Sequence, residues 1–96
     1  MAYAIMHFFP GGTQEQYDAA LESGLIHPSP DVLPEGQIFH AAGPSEGGWT
    51  IFAVHDTKES WERFRDEKLL PGLPQIQGTF EGPPQETTIE LHKLLP

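Results

Sequence analysis

Three histidines lie inside apolar runs of this 96-residue chain: His7 in AYAIMHFF, His40 in QIFHAA and His55 in GGWTIFAVHD. Histidine is the side chain whose ordinary pKa lies near neutrality, so imidazoles facing one cavity could take a proton from a bound molecule and stabilise the charge that develops. His7, His40 and His55 are therefore the candidate catalytic residues. The two-residue period of a strand supplies their neighbours: Tyr3, Ile5 and Phe9 share a face with His7, and Trp49, Ile51 and Ala53 share one with His55. Tyr3, Phe9, Trp49 and Ile51 are the candidate substrate-binding residues, an aromatic and apolar set suited to a flat, weakly polar molecule. Any one of these histidines also has an ordinary reading as a packed, hydrogen-bonded structural residue. Imidazoles can hold zinc, copper or iron, but no HxH or HxxxH spacing occurs and no metal ligand is assigned. His27, in a proline-rich loop, and His92, between Leu91 and Lys93, read as solvent-facing or interfacial.

Four strands and two helices must position these residues. Residues 2–9 are apolar and aromatic and stop at Pro10-Gly11-Gly12, which reads as a strand closed by a turn. Thr13-Gln14-Glu15-Gln16 is a capping box that starts a helix running to about Ser23. HPSPDVLPEG carries three prolines and reads as a loop. Gln37–Ala42 and Gly48–His55 read as a hairpin across Gly-Pro-Ser-Glu-Gly, and pairing Ala42 with Trp49 would put His40 on the Trp49–His55 face. A second helix follows, with Asp56 and Thr57 as its candidate caps, Glu59 completing a capping box with Asp56, and Trp61, Phe64 and Leu69 on its buried side; Pro71 and Pro74 interrupt it. Glu86–Leu94 alternates as a last strand.

The order β-α-β-β-α-β predicts a single α+β domain over residues 1–96 of ferredoxin-like form. Two helices cover one face of a four-stranded antiparallel sheet of order 4-1-3-2. Strands 1 and 3 are taken as parallel neighbours, which would bring His7 and His55 to one edge. Both faces of strand 3 are largely apolar, so the side away from the helices needs a cover, and a homodimer would supply it.

Composition narrows the partners. Fourteen acidic and five basic residues leave a net charge of −9, which argues against nucleic acid and anionic membranes. The chain has no cysteine, hence no disulfide and no thiolate nucleophile. No window approaches the roughly 20 apolar residues of a membrane span, and the N-terminus lacks a basic region followed by an apolar one, so a cytoplasmic protein is expected.

The element order at this length, the two apolar faces and the run AGPSEGGWTIFAVHDTKESWERF resemble the dimeric α+β barrel superfamily, specifically its antibiotic-biosynthesis-monooxygenase-like group. That resemblance implies two copies pairing their bare sheet faces, with a small-molecule cavity between each sheet and its helices or within the barrel. The group it resembles includes cofactor-free monooxygenases, haem-degrading oxygenases, isomerases and cyclases, together with proteins of no known activity. Trp49 matches a cavity tryptophan of such monooxygenases, whereas the chain contains no asparagine to fill that group's asparagine role. The expected function is binding of a small apolar, aromatic or polyketide-like molecule, with no cofactor, for oxygenation or for proton-driven isomerisation or cyclisation. A non-catalytic binding or accessory dimer is the alternative, and haem binding the third reading.

Overall fold

The computed structural model describes residues 1–96. It contains β1 (Tyr3–Pro10), α1 (Gln14–Glu22), β2 (Gln37–Ser45), β3 (Gly48–His55), α2 (Lys58–Phe64) and β4 (Gln85–Glu90). Between α2 and β4 the chain continues through a π turn (Arg65–Leu69), a short helical turn α3 (Leu70–Gly72) and a 3-10 turn (Leu73–Gln75). The sheet order is β2-β3-β1-β4 and every pairing is antiparallel. This is the ferredoxin-like α+β architecture, with both helices on one face.

Local chemistry accounts for the boundaries. Thr13 and Gln16 form the reciprocal capping box that starts α1. Gly11, at φ +70°, ends β1, and its N–H donates to the Gly47 carbonyl in the β2–β3 turn at 2.8 Å. At α2 the cap is Thr57, one of the two expected candidates, whose hydroxyl accepts from the Ser60 N–H; Asp56 with Glu59 is not the capping pair. β4 ends at Glu90, four residues before the expected Leu94.

Two expectations about the strands need correction. β1 and β3 are antiparallel, because the β1-α1-β2 crossover makes β1 parallel to β2 and the hairpin then reverses the chain. His7 therefore opposes Ile51 while His55 opposes Tyr3, so these histidines do not meet at one edge. The hairpin is also two residues longer in register than expected: Pro44 pairs with Trp49, Ala42 with Ile51 and His40 with Ala53. A shift of two keeps the side-chain parity, so His40 does share the Trp49–His55 face. A bulge between Gln37 and Phe39 leaves Ile38 unpaired and sets Gln37 opposite His55.

That face is the one under the helices. Ile5, Ile26, Trp61 and Phe64 form its central cluster, with Tyr3, Leu69, Leu73 and Ile76 packed against them. The histidine row thus belongs to the helix-covered side, and the opposite side carries Met6, Phe8, Phe39, Phe52 and Ile89.

Candidate functional site

A narrow, mostly apolar cavity of about 70 Å³ lies between the sheet and the helical layer. Ile5, His7, Phe9 and Ile51 line it from the sheet, Tyr17, Ala20 and Leu21 from α1, Trp61 and Phe64 from α2, and Phe80 from the loop before β4. Phe80 stacks on Phe9 with ring centres 3.8 Å apart. The polar groups in the wall are His7, His27, Gln37, His40 and the Tyr17 hydroxyl; no lysine or arginine lines the cavity.

Five of the site's side chains form one hydrogen-bonded chain. The Tyr17 hydroxyl is 2.6 Å from His40 Nε2, and His40 Nδ1 is 2.9 Å from Gln37 Oε1. Gln37 Nε2 is 3.2 Å from His55 Nε2, and His55 Nδ1 is 3.0 Å from Ser60 Oγ. Gln37, His55 and Ser60 are buried, His55 completely. The bulge at Ile38 is what places Gln37 between the two imidazoles. Gly36 completes the arrangement: it holds φ +85°, and a side chain there would collide with the Ser60 hydroxyl.

Burial holds the site in its neutral state. Loss of water around His40, reinforced by the neighbouring His27, lowers its pKa from 6.5 to about 4. Burial also lowers His27 and His55, opposed by the Val32 carbonyl in the first case and by Asp56 in the second. Tyr17 is raised, by burial first and then by the charge of Asp18. At neutral pH both imidazoles flanking Gln37 are uncharged.

The residues expected from sequence divide into three groups. His7, His40, Phe9 and Ile51 line the cavity. His55 lies behind it and reaches it only through Gln37, while Tyr3 packs against the central cluster. Trp49 is buried beside Tyr17, with ring centres 5.2 Å apart, and its indole N–H has no partner; it neither lines the cavity nor faces the open side. His7 sits at the margin, 2.8 Å from the exposed Glu86 carboxylate, with its ring edge-on to Trp61.

Sequence reasoning missed Tyr17, Gln37, Ser60 and His27. Tyr17 read as part of an apolar helix stripe, yet a tyrosine facing a strand histidine brings a hydroxyl with it. His27 corrects the solvent-facing expectation: it is buried, its Nδ1–H donates to the Val32 carbonyl at 3.1 Å, and its ring meets that of His40 edge-on with centres 4.9 Å apart. The proline-rich segment thus brings His27 against the strand residue His40 and into the cavity wall. No group of three or more His, Cys, Asp or Glu side chains converges in a geometry that would hold a metal ion. No helix is long and apolar enough to cross a membrane.

No family model matches this chain. No curated protein matches it at a significant level. Among solved structures, Rv0793 from Mycobacterium tuberculosis is similar, with a TM-score of 0.61 at 17% identity over 99% of this chain and 98% of that one. The likeness extends through the whole fold and, at that identity, is a likeness of fold alone.

Proposed function

We propose that this protein binds a small, planar, largely apolar molecule between its sheet and helices and moves a proton at it through Tyr17 and His40. The observation that carries this reading is the 2.6 Å contact between the Tyr17 hydroxyl and a neutral imidazole at the wall of an otherwise apolar cavity. As the ligand gives a proton to the Tyr17 oxygen, the phenol proton passes to His40 Nε2. The ligand is left as an anion and His40 as an imidazolium, with Tyr17 unchanged.

Magnitudes restrict the ligand. A phenol as weakly acidic as free tyrosine, near 10, lies about 6 units above His40, a cost of about 8 kcal/mol. An enolisable or electron-poor hydroxyl compound lies closer, and the anion it forms would itself raise His40. Isomerisation or cyclisation of an acidic polyketide-like molecule is therefore favoured. Oxygenation by dioxygen is the further outcome for an electron-rich anion, a phenol and dioxygen giving a quinone and water. The non-catalytic alternative draws support from His55, which is fully buried and saturated by Gln37 and Ser60.

The protein acts as a homodimer in this reading, a second copy covering the face that exposes Met6, Phe39 and Ile89, and it works in the cytoplasm without a cofactor. The test is hydrogen–deuterium exchange at the enolisable carbon of 2-tetralone, followed by NMR. The wild type should accelerate exchange, and Tyr17→Phe or His40→Gln should reduce the acceleration by about 100-fold or more. Binding of 2-tetralone without acceleration would assign the protein to the accessory class.

A further inference from the structure

The five-residue chain has a direction, and Gln37 is the member that sets it. A side-chain amide donates only through nitrogen and accepts only through oxygen, so its two ends are not interchangeable. In this structure the amide oxygen faces His40 and the amide nitrogen faces His55. His40 must then carry its proton on Nδ1, since an oxygen acceptor needs a donor. A neutral His40 has a bare Nε2, which accepts from the Tyr17 hydroxyl. At the other end Gln37 donates to His55 Nε2, so the His55 proton lies on Nδ1 and is donated to Ser60 Oγ. Every donor thus points from Tyr17 toward Ser60.

We propose that Gln37 is the positioning residue of this site. It fixes the imidazoles of His40 and His55 as Nδ1–H tautomers, so that the chain offers oxygen lone pairs to the inner cavity and a hydroxyl proton to the outside. The outside is a second, wider cavity of about 400 Å³, lined by Ser60, His27, Arg63 and Glu67 among others. The inner cavity therefore meets the accepting end of the chain, and the outer one its donating end. Reversing the amide would reverse both ends. His40 would then donate to Tyr17 and no longer take its proton. This polarity deepens the proton-transfer reading, and its functional consequence rests on that reading; the tautomers themselves are a property of the ligand-free protein.

Long-range nitrogen–proton correlation NMR on histidine-labelled protein tests it, because a protonated ring nitrogen resonates far from a bare one. The wild type at pH 7 should show His40 and His55 both as Nδ1–H. Gln37→Glu keeps the acceptor for His40 but cannot donate to His55. In that variant His40 stays Nδ1–H with its midpoint raised from about 4 by at least about 1 unit, while His55 moves its proton to Nε2 or becomes fully protonated. Gln37→Met removes both contacts and should return His40 to Nε2–H. An Nε2–H signature for either histidine in the wild type would overturn the proposal. So would a His55 tautomer that Gln37→Glu leaves unchanged, and both measurements decide the matter even if Gln37→Met fails to fold. Loss of 2-tetralone exchange has no bearing on these spectra, so failure of the functional reading and failure of the tautomer assignment are separately visible.

Discussion

On the helix side of the sheet, β1 and β3 present Ile5, His7, Phe9, Trp49, Ile51, Ala53 and His55; on the open side the same strands present Met6, Phe8, Thr50 and Phe52. Both rows are mostly apolar, and hydrophobicity alone does not separate them. What separates them is the polar content and its satisfaction. The covered side holds two neutral imidazoles, His55 buried and His40 half-buried, and a buried amide that meet one another's hydrogen-bonding needs. The open side carries no titratable group in these rows and leaves Met6 and Phe39 substantially exposed. Burying polar groups costs about 1–3 kcal/mol each unless they are paired, so a paired chain retained beneath helices is the more informative face for chemistry. An exposed apolar surface is the more informative face for association.

Three measurements probe that contrast. Trp61→Ala should have the largest effect, a loss of about 3–5 kcal/mol in urea denaturation, because Trp61 is buried between the rings of His7, His55 and Phe64. A loss below about 1 kcal/mol would mean that the helical layer is not what stabilises this side. Acidification comes next. His40 binds its proton near 4 in the folded chain and near 6.5 when unfolded, so the unfolded chain holds more protons between those values and stability falls as pH drops through that window. At pH 5.5 the loss should be about 1 kcal/mol relative to pH 7.5, after allowance for partial access of water to the ring. Lowered His27 and His55 act in the same direction. A urea midpoint that does not move between these pH values would remove the neutral buried imidazole from the description.

The smallest effect on the fold itself belongs to the open side. Phe39, about half exposed, pairs edge-on with Phe52. Phe39→Thr should change the stability of an isolated chain by no more than about 0.5 kcal/mol. If a second copy covers this face, sedimentation of the wild type at micromolar concentration will show a dimer that the substitution weakens. A wild-type monomer would leave the open side without the partner proposed for it.

Much of the architecture was readable because each element announces its own ends: Pro10-Gly11, the Thr13–Gln16 box, the prolines of the long loop and those after Leu70. The site was less readable, for a physical reason. Strand parity places His40 correctly under any even shift of the hairpin, but a bulge changes parity locally, and nothing in QIFHAA signals that Ile38 will be left out and Gln37 turned inward. Trp49 shows the converse: its face was legible, but whether that face met a helix or a second copy depended on the layer covering it. His27 was misread because prolines indicate irregular backbone, which is a different property from exposure.

The turn at Arg65–Leu69 explains a spacing that an ordinary helix would not. Phe64 and Leu69 are five residues apart, and a π turn, with its hydrogen bonds from i to i+5, brings both side chains to the same cavity wall. In evolutionary or engineering terms, this is a helix carrying one surplus residue. Losing one of the exposed residues Asp66, Glu67 or Lys68 would leave Phe64 and Leu69 at the spacing of four that an α-helix aligns. Losing one within α2 would rotate everything beyond it by about 100°. Length can therefore change at this turn with the cavity wall kept, which makes it the place where the helical layer can be shortened without redesigning what lies beneath it.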